Sequence, residues 1–448
     1  AVFTNTLTGQ APLVFEENLF YQGGWSDEFR FVVTNPGRDV SVWESVDDGS
    51  VTVNLQNQRF DLSGLDFTGS TSMKDVAQVI ENAINAEIGP NAVIFDYTTD
   101  GEVFVLRSDD FKSSRNYGFE TLGGGTDLSG PNYINIGSQR NAESTSLDRN
   151  MYLAMGFGKL VLRGNIDADG SSGGVQMRMG GYSYDNLYLR NPISITVGHD
   201  QNPADTTVSG VIRNNVILGA RDIDNQNQGT GIDLVTTSRG AYGKHTITDM
   251  EISGNIIAHQ KEGTGNIVGI TFSLPDDSDN VTIKNNIVYN WSSSPPLSPP
   301  DTVRDPALEM LSSDVRVTNI FVENNVFQQP DGGYLLRVDD SKIGDVATVR
   351  NNTYWSGSDE SYWWFNANRA SIFSRSGETD YVIGEVEFED PARDIRTYMD
   401  SLDKENSLEA FIAEAYKQSR YNYRDEYTAY AVNDYIREGF EMNSVTVE

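Results

Sequence analysis

The chain has 448 residues, of which 38% are hydrophobic and 22% charged, enough to bury a continuous core and too apolar for wholesale disorder. Its 65 acidic against 33 basic residues give a formal net charge of -32, which repels phosphate backbones and anionic lipid surfaces and excludes nucleic acid and membranes as partners. With no cysteine and three histidines (His199, His245 and His259), disulfides, thiolate nucleophiles and cysteine- or histidine-rich metal sites are excluded too.

The chain opens Ala-Val without a signal-peptide pattern. Residues 17–23 read ENLFYQG, close to a protease recognition sequence with Phe and Tyr exchanged. Residues 1–140 read as a small α+β attachment or structural module. It has β-like runs (FRFVVTN, SVTVNL) and one clear helix, TSMKDVAQVIENAINAEIG. Thr71 or Ser72 can cap that helix, and Val76, Val79, Ile80 and Ile84 form its apolar stripe. Two strands follow in AVIFDYTTDGEVFVLRS, with a turn at Asp100-Gly101. The Gly-rich stretch GGGTDLSGPN reads as a linker.

Over 141–385 one pattern recurs: LVLRGNID, GVIRNNVIL, MEISGNIIA, VTIKNNIVY, IFVENNVFQ and ATVRNNTYW. Each has alternating apolar residues, an Asn, then another apolar pair. The shared positions are Asn165, Asn215, Asn255, Asn286, Asn325 and Asn352, and LYLRNPISI fits with Pro192 in the Asn place. The spacings run from 23 to 40 residues. Irregular spacing around a constant unit predicts a mainly β chain folded as a right-handed single-stranded parallel β-helix, whose turns carry insertions of any length. Asn tolerates the left-handed conformation of a tight bend, and stacked Asn amides can bond to one another along the axis. A sandwich of short strands is the alternative, but Asn-Gly hairpin turns are nearly absent.

A second strand set lies between the Asn motifs: 175–179, 193–197, 231–235, 268–273, 307–311 and 334–338. Period-two alternation sends Val175, Met177, Met179, Ile195, Val197, Ile232, Leu234, Ile270, Phe272, Leu308 and Met310 inward. It sends Gln176, Arg178, Thr196, Asp233, Thr271, Glu309 and Arg337 outward on one sheet. Residues 386–448 read as a helical cap over the open end of the solenoid, with helices near 391–402, 406–418 (Asn406 capping, Glu409 three residues on) and 424–438. Tyr416, Tyr421, Tyr423, Tyr427, Tyr430 and Tyr435 read as packing residues of this cap.

A long sheet face suits a long, repetitive ligand, and polysaccharides are gripped by carboxylates, amides, Arg and flat rings. Gln176, Tyr182, Tyr184, His199, Asp200, Arg221, Tyr242, Lys261 and Arg337 are the candidate substrate contacts. The candidate catalytic residues are Arg178, Asp233, Lys244, His245 and Glu309. A lyase acting on a uronic acid needs a cation for the carboxylate, a base for the C5 proton and an acid for the leaving oxygen. Arg178, Lys244, His245, Lys261 and Tyr242 or Tyr184 offer these. A glycosidase needs two carboxylates instead. Asp233 and Glu309, two coils apart, would stand about 10 Å from each other, near the range for inversion, and Asp200 and Asp233, one coil apart, nearer that for retention.

The segment GGVQMRMGGYSYDNLYLRNPISITVGHDQNPADTTVSGVIRNNVILGARDI, with the Asn-bearing coils over about 150–380, resembles the pectate-lyase-like superfamily of right-handed β-helix proteins. The string from DPARDIRTYMDSLDKENS to AYAVNDYIREGF resembles a tail of secreted bacterial β-helix proteins. DLSGLDFTGSTSMKDVAQVIENAIN with VIFDYTTDGEVFVLRS resembles a module of bacteriophage tail and flagellin-like proteins. Together these imply a tailspike-type exopolysaccharide depolymerase, secreted or virion-borne, homotrimeric and without a soluble cofactor. The superfamily holds lyases, hydrolases and epimerases. Its calcium-binding Asp cluster and lyase arginine have no residue-by-residue match here, which leaves calcium and the reaction type open, beside a non-catalytic polysaccharide-binding tail protein or adhesin.

Overall fold

The computed structural model describes residues 2–4, 12–21, 28–55, 58–89, 93–98, 102–107, 118–134, 149–153, 160–170, 172–198, 206–220, 228–235, 245–260, 266–273, 278–292, 306–310, 317–338, 347–357, 373 and 376–442. It divides into two compact units, one of Gly24–Thr145 and one of Ala1–Gly23 with Ser146–Glu448.

The larger unit is a parallel β-helix. Each coil visits three sheets in turn. The first sheet stacks Val2–Thr4, Arg149–Leu153, Gly173–Met177, Ile193–Gly198, Gln228–Val235, Asn266–Ser273, Pro306–Met310 and Tyr334–Val338, and every neighbouring pair is parallel. The second sheet runs from Leu13–Glu16 to Ala347–Arg350 and the third from Leu19–Tyr21 to Val382–Ile383. The inward residues expected on the first sheet are buried in one core from Met151 to Val338, with the exception of Met179, which lies beyond the strand end and is half-buried.

The N-terminal boundary differs from the sequence reading. Residues 2–21 are the first coil of the solenoid, not part of the α+β module, because their strands pair with the next coil on all three sheets. Residues 17–21 of the protease-like ENLFYQG belong to this coil: Asn18 donates its backbone N–H (2.9 Å) and side-chain amide (3.2 Å) to Asn165 Oδ1.

That bond begins a ladder. Asn165, Asn186, Asn215, Asn255, Asn286, Asn325 and Asn352 are almost fully buried at the corner between the second and third sheets. Each gives both its backbone N–H and its Nδ2 to the Oδ1 of the next, at 2.8–3.0 Å. Each Nδ2 also donates to a second-sheet carbonyl of the preceding coil, as Asn255 does to Ile212 O at 3.0 Å. Asn186 takes the place expected for Pro192, so the shortest step is 21 residues. The bend and the ladder also fall on different residues. The residue before each ladder Asn adopts positive φ (Gly164, Asp185, Asn214, Gly254, Asn285, Asn324 and Asn351), which frees the Asn itself to stack. At the last coil Glu378 replaces an amide, accepting from Asn352 Nδ2 at 3.0 Å and from the Tyr354 hydroxyl at 2.9 Å.

The third sheet is largely apolar on both faces, the buried Asp167 in register with Tyr188 being an inward exception held by Asn150 and Asn191. Its middle positions, Tyr188, Ile217, Ile257, Val288, Phe327 and Tyr354, join the solenoid core. Its outer positions, including Ile166, Leu187, Leu189, Val216, Ile256 and Ala258, pack under the C-terminal helices Ile395–Ser401, Leu408–Tyr416 and Ala429–Gly439. The helices thus fold back as expected, but along the flank of the third sheet, where the uncovered apolar area lies, rather than over the end. Burying each such side chain contributes about 1.5–3 kcal/mol. Polar ties fix the docking: Asn433 Nδ2 donates to Asp185 O (2.8 Å) and Arg437 Nη1 to Gly254 O (2.8 Å), carbonyls at the left-handed corners. Ser407, not Asn406, caps the second helix, accepting from Ala410 N at 3.0 Å. Tyr427 is buried, whereas Tyr416, Tyr421 and Tyr423 are exposed, Tyr423 donating its hydroxyl to Glu17 at 3.0 Å.

In the smaller unit the helix Met73–Ile88 starts on a capping box of Ser72 and Asp75 and buries Val76, Ile80 and Ile84 against antiparallel strands. The Gly-rich stretch is not a linker: Thr126–Asp127 pairs with Gly49–Ser50, and Leu128 and Ile134 are core residues.

Replacing Asn255 with Ala strands two Asn215 donors and removes the two bonds its own Nδ2 donates, so Asn255→Ala should lose about 3 kcal/mol or more in chemical denaturation. Burial pushes the Glu378 carboxyl up to about 7 from its ordinary 4.5, against the bonds from Asn352 and Tyr354. With the folded pKa above the unfolded one, the contribution is complete below about pH 4.5 and lost as pH rises through about 7. Glu378→Gln should therefore show a flatter thermal midpoint than the parent between those values, read as the difference between the two proteins across pH.

Candidate functional site

With the third sheet covered by helices, two outer faces remain. On the second sheet Arg163, Tyr184, Arg213, Ser253, Lys284, Glu323 and Arg350 align in register. This face is largely self-neutralised: Arg213 and Lys284 meet Glu251 at 2.7 and 3.5 Å, and Arg350 meets Glu323 at 2.8 Å. Such exposed pairs contribute little stability and leave little charge for a ligand. Tyr182 and Tyr184 lie here, their rings stacked 5.8 Å apart, and not on the sheet of Arg178 where the sequence reading grouped them. The cause is the corner at Gly180 and Gly181, both at positive φ, where a side chain at Gly180 would collide with Ser209 O. His245 likewise opens a second-sheet strand, His245–Ser253, paired with Thr206, so it too is parted from the Arg178 sheet.

The first sheet carries the other row. Register places Tyr152, Gln176, Thr196, Asp233, Thr271, Glu309 and Arg337 side by side, one per coil. Asp233 and Glu309 are two coils apart with Thr271 between them, a strand separation of about 10 Å. From Gln176 to Arg337 every member of the row is less than a tenth exposed. Tyr152 is the partly exposed member, and beside it Arg178, one residue past the end of the strand Gly173–Met177 that the sequence extended to 179, is partly exposed too, so the row opens to solvent at that end.

The two ends differ in chemistry. Glu309 forms a buried ion pair with Arg337 and accepts from Thr271 Oγ1 at 3.0 Å. At the other end, Arg149 donates Nε to Gln176 Oε1 at 3.0 Å, and the Arg178 guanidinium lies 4.8 Å from the Tyr152 ring centroid. Burial lowers the Arg149 pKa, opposed by attraction to Asp233 and Tyr152, and Arg178 adds repulsion in the same direction as burial. Arg149 and Tyr152 were missed in sequence. The signal was available, because RNMYL alternates in the phase of the later first-sheet strands and precedes an Asn motif.

His199, Asp200, Arg221, Tyr242, Lys244 and Lys261 lie outside the described residues. Among the described residues no group of three or more His, Asp or Glu is placed to hold a metal ion. Two clefts, of about 520 and 480 Å³, lie where the C-terminal helices meet the solenoid, lined in part by Tyr416 and Tyr423 or by Arg190 and His259, and neither includes a first-sheet row residue.

Removing one partner of the Glu309–Arg337 pair should cost about 3–5 kcal/mol, because the other charge stays buried. Glu309→Gln and Arg337→Met should each show that loss in denaturant titrations, and the double variant should recover most of it.

Residues 32–125, within the smaller unit, match a family model described as E217 tail sheath protein gp31, insert domain. No curated protein and no solved structure matches the chain. The smaller unit is therefore similar to a domain of a phage tail protein.

Proposed function

We propose that the protein is a virion-associated polysaccharide depolymerase acting on an acidic exopolysaccharide at the Tyr152–Asp233 end of the first-sheet row. The observation that carries this reading is the juxtaposition, in one register row, of a carboxylate (Asp233), an amide (Gln176) and a ring (Tyr152) stacked under the Arg178 cation. The tail-domain likeness of residues 32–125 supports a place on the virion.

β-Elimination is favoured over hydrolysis. Two-carboxylate hydrolysis needs both acids available, and Glu309 is already committed to Arg337 and Thr271. In elimination Arg178 would neutralise the uronate carboxylate, which makes the C5 proton acidic, and Asp233 would accept that proton. The leaving oxygen needs an acid; His245 is parted from this sheet, which leaves Lys244, outside the described residues, as the candidate the sequence offers.

Incubation with a panel of acidic exopolysaccharides tests this. A lyase raises both the ultraviolet absorbance of an unsaturated product and the reducing ends, and Asp233→Asn should lower both by about 100-fold or more. Reducing ends alone would mean hydrolysis. Binding of the polymers without either signal would mean a tail adhesin and would sink the depolymerase reading.

A further inference from the structure

We propose that Arg149 and Arg178 together form a subsite for an oxyanion carried by a sugar, the carboxylate of a uronic acid or a sulfate ester. The inference rests on the depolymerase reading for the polymer, but its argument is independent of cleavage.

In a chain with 65 acidic residues, a buried arginine without a carboxylate needs a reason. Arg163, Arg190, Arg213, Arg337, Arg350 and Arg424 each meet one within 4 Å. Among the described residues, Arg149 and Arg178 meet none. Arg149 is more than nine-tenths buried, yet its Nη1 has no hydrogen-bond partner, and the buried Nε of Arg178 has none either. A buried unpartnered Nε also occurs on Arg38, Arg163 and Arg424, which keep a carboxylate; the Nη1 of Arg149, on a buried arginine that meets none, is the donor that asks for an acceptor.

The surroundings hold both groups in position. Gln176 pins Arg149 through Nε, which leaves Nη1 for a ligand. Position 173 is glycine, where a Cβ would stand 3.4 Å from Arg149 Nη1, so the guanidinium lies flat across the neighbouring coil. Tyr152 carries Arg178 on its ring face. Two guanidiniums close enough to repel each other form a poor arrangement alone and a good one around a shared anion, which each can meet with paired N–H donors. Thr196 Oγ1, the next outward hydroxyl in the row, is buried and also lacks a partner. The partial exposure of Tyr152 and Arg178 gives a sugar its way in, with the ring as a stacking surface. The Arg337 end of the row cannot do this, because its cation is neutralised by Glu309.

Calorimetric titration with oligogalacturonate, its methyl ester and a sulfated oligosaccharide tests the subsite. The acid oligomer should bind at least about tenfold more tightly than its ester, and Arg149→Gln and Arg178→Gln should each remove about that factor, with Arg149→Lys between. Tight binding of the sulfated oligomer but not the uronate assigns the oxyanion to a sulfate ester. Thermal melts should show Arg149→Gln as stable as the parent or more so, since an unpartnered buried donor is removed. Should Arg149→Gln fail to fold, the half-buried Arg178→Gln carries the test. The subsite is overturned if the acid, ester and sulfated oligomers bind alike, if neither Gln variant weakens binding of the charged oligomer, or if none of the three oligomers binds. Cleavage of a neutral polymer with no preference for charge would overturn the subsite and leave the depolymerase reading. Charge-dependent binding with no polymer cleaved would do the reverse.

Discussion

A single buried amide per coil organises the solenoid. At the corner between the second and third sheets the chain must reverse sharply in the protein interior, where each unpaired N–H or C=O is costly. The ladder Asn answers the problem in both directions. Its Oδ1 takes two N–H groups from the coil before, and its own backbone N–H and Nδ2 pass to the coil after. Coils of very different length can then stack in one register, because the corner is fixed while the other connections vary. The ladder also requires an end. A further amide at Glu378 would bring two Nδ2 hydrogens needing acceptors, whereas the Glu378 carboxyl uses both of its oxygens to accept, from Asn352 and from Tyr354.

With that corner fixed, the fate of the three faces follows from composition. The third sheet is largely apolar outside and inside, and the C-terminal helices cover it. The second sheet balances its own charges in the open. The first sheet is the one whose outward row mixes acids, amides, hydroxyls and arginines while withdrawing most of them from water. Charges held in such a dry, fixed setting would act more strongly on the proposed ligand than charges in solvent.

Much of this was legible in the sequence, and the failures are specific. Period-two alternation placed Gln176, Thr196, Asp233, Thr271, Glu309 and Arg337 on one sheet, and the structure aligns them residue for residue. The Asn repeat revealed the coils, but Pro192 stood in for Asn186, because YDNLYL lacks the apolar-Asn-Asn spelling of its relatives and the true bend residue there is Asp185. Tyr182 and Tyr184 were put on the wrong face since a glycine corner does not announce its direction. Arg149 escaped because the long insertion before it hid the start of its coil. The pairing of Glu309 with Arg337 depends on side-chain reach between coils, which no pattern in one strand contains.

The position of the smaller unit has a consequence of its own. In two places the chain passes from the third sheet to the first through a short turn, from Leu189 to Ile193 and from Gln329 to Tyr334. Between Tyr21 and Arg149 the same passage holds the whole of Gly24–Thr145. The phage-tail-like domain is thus a cassette seated in one turn, and the first coil stays bound to the second by strand pairing on either side of it. That insert could be exchanged for another domain, or lost, without redesigning a single rung of the solenoid.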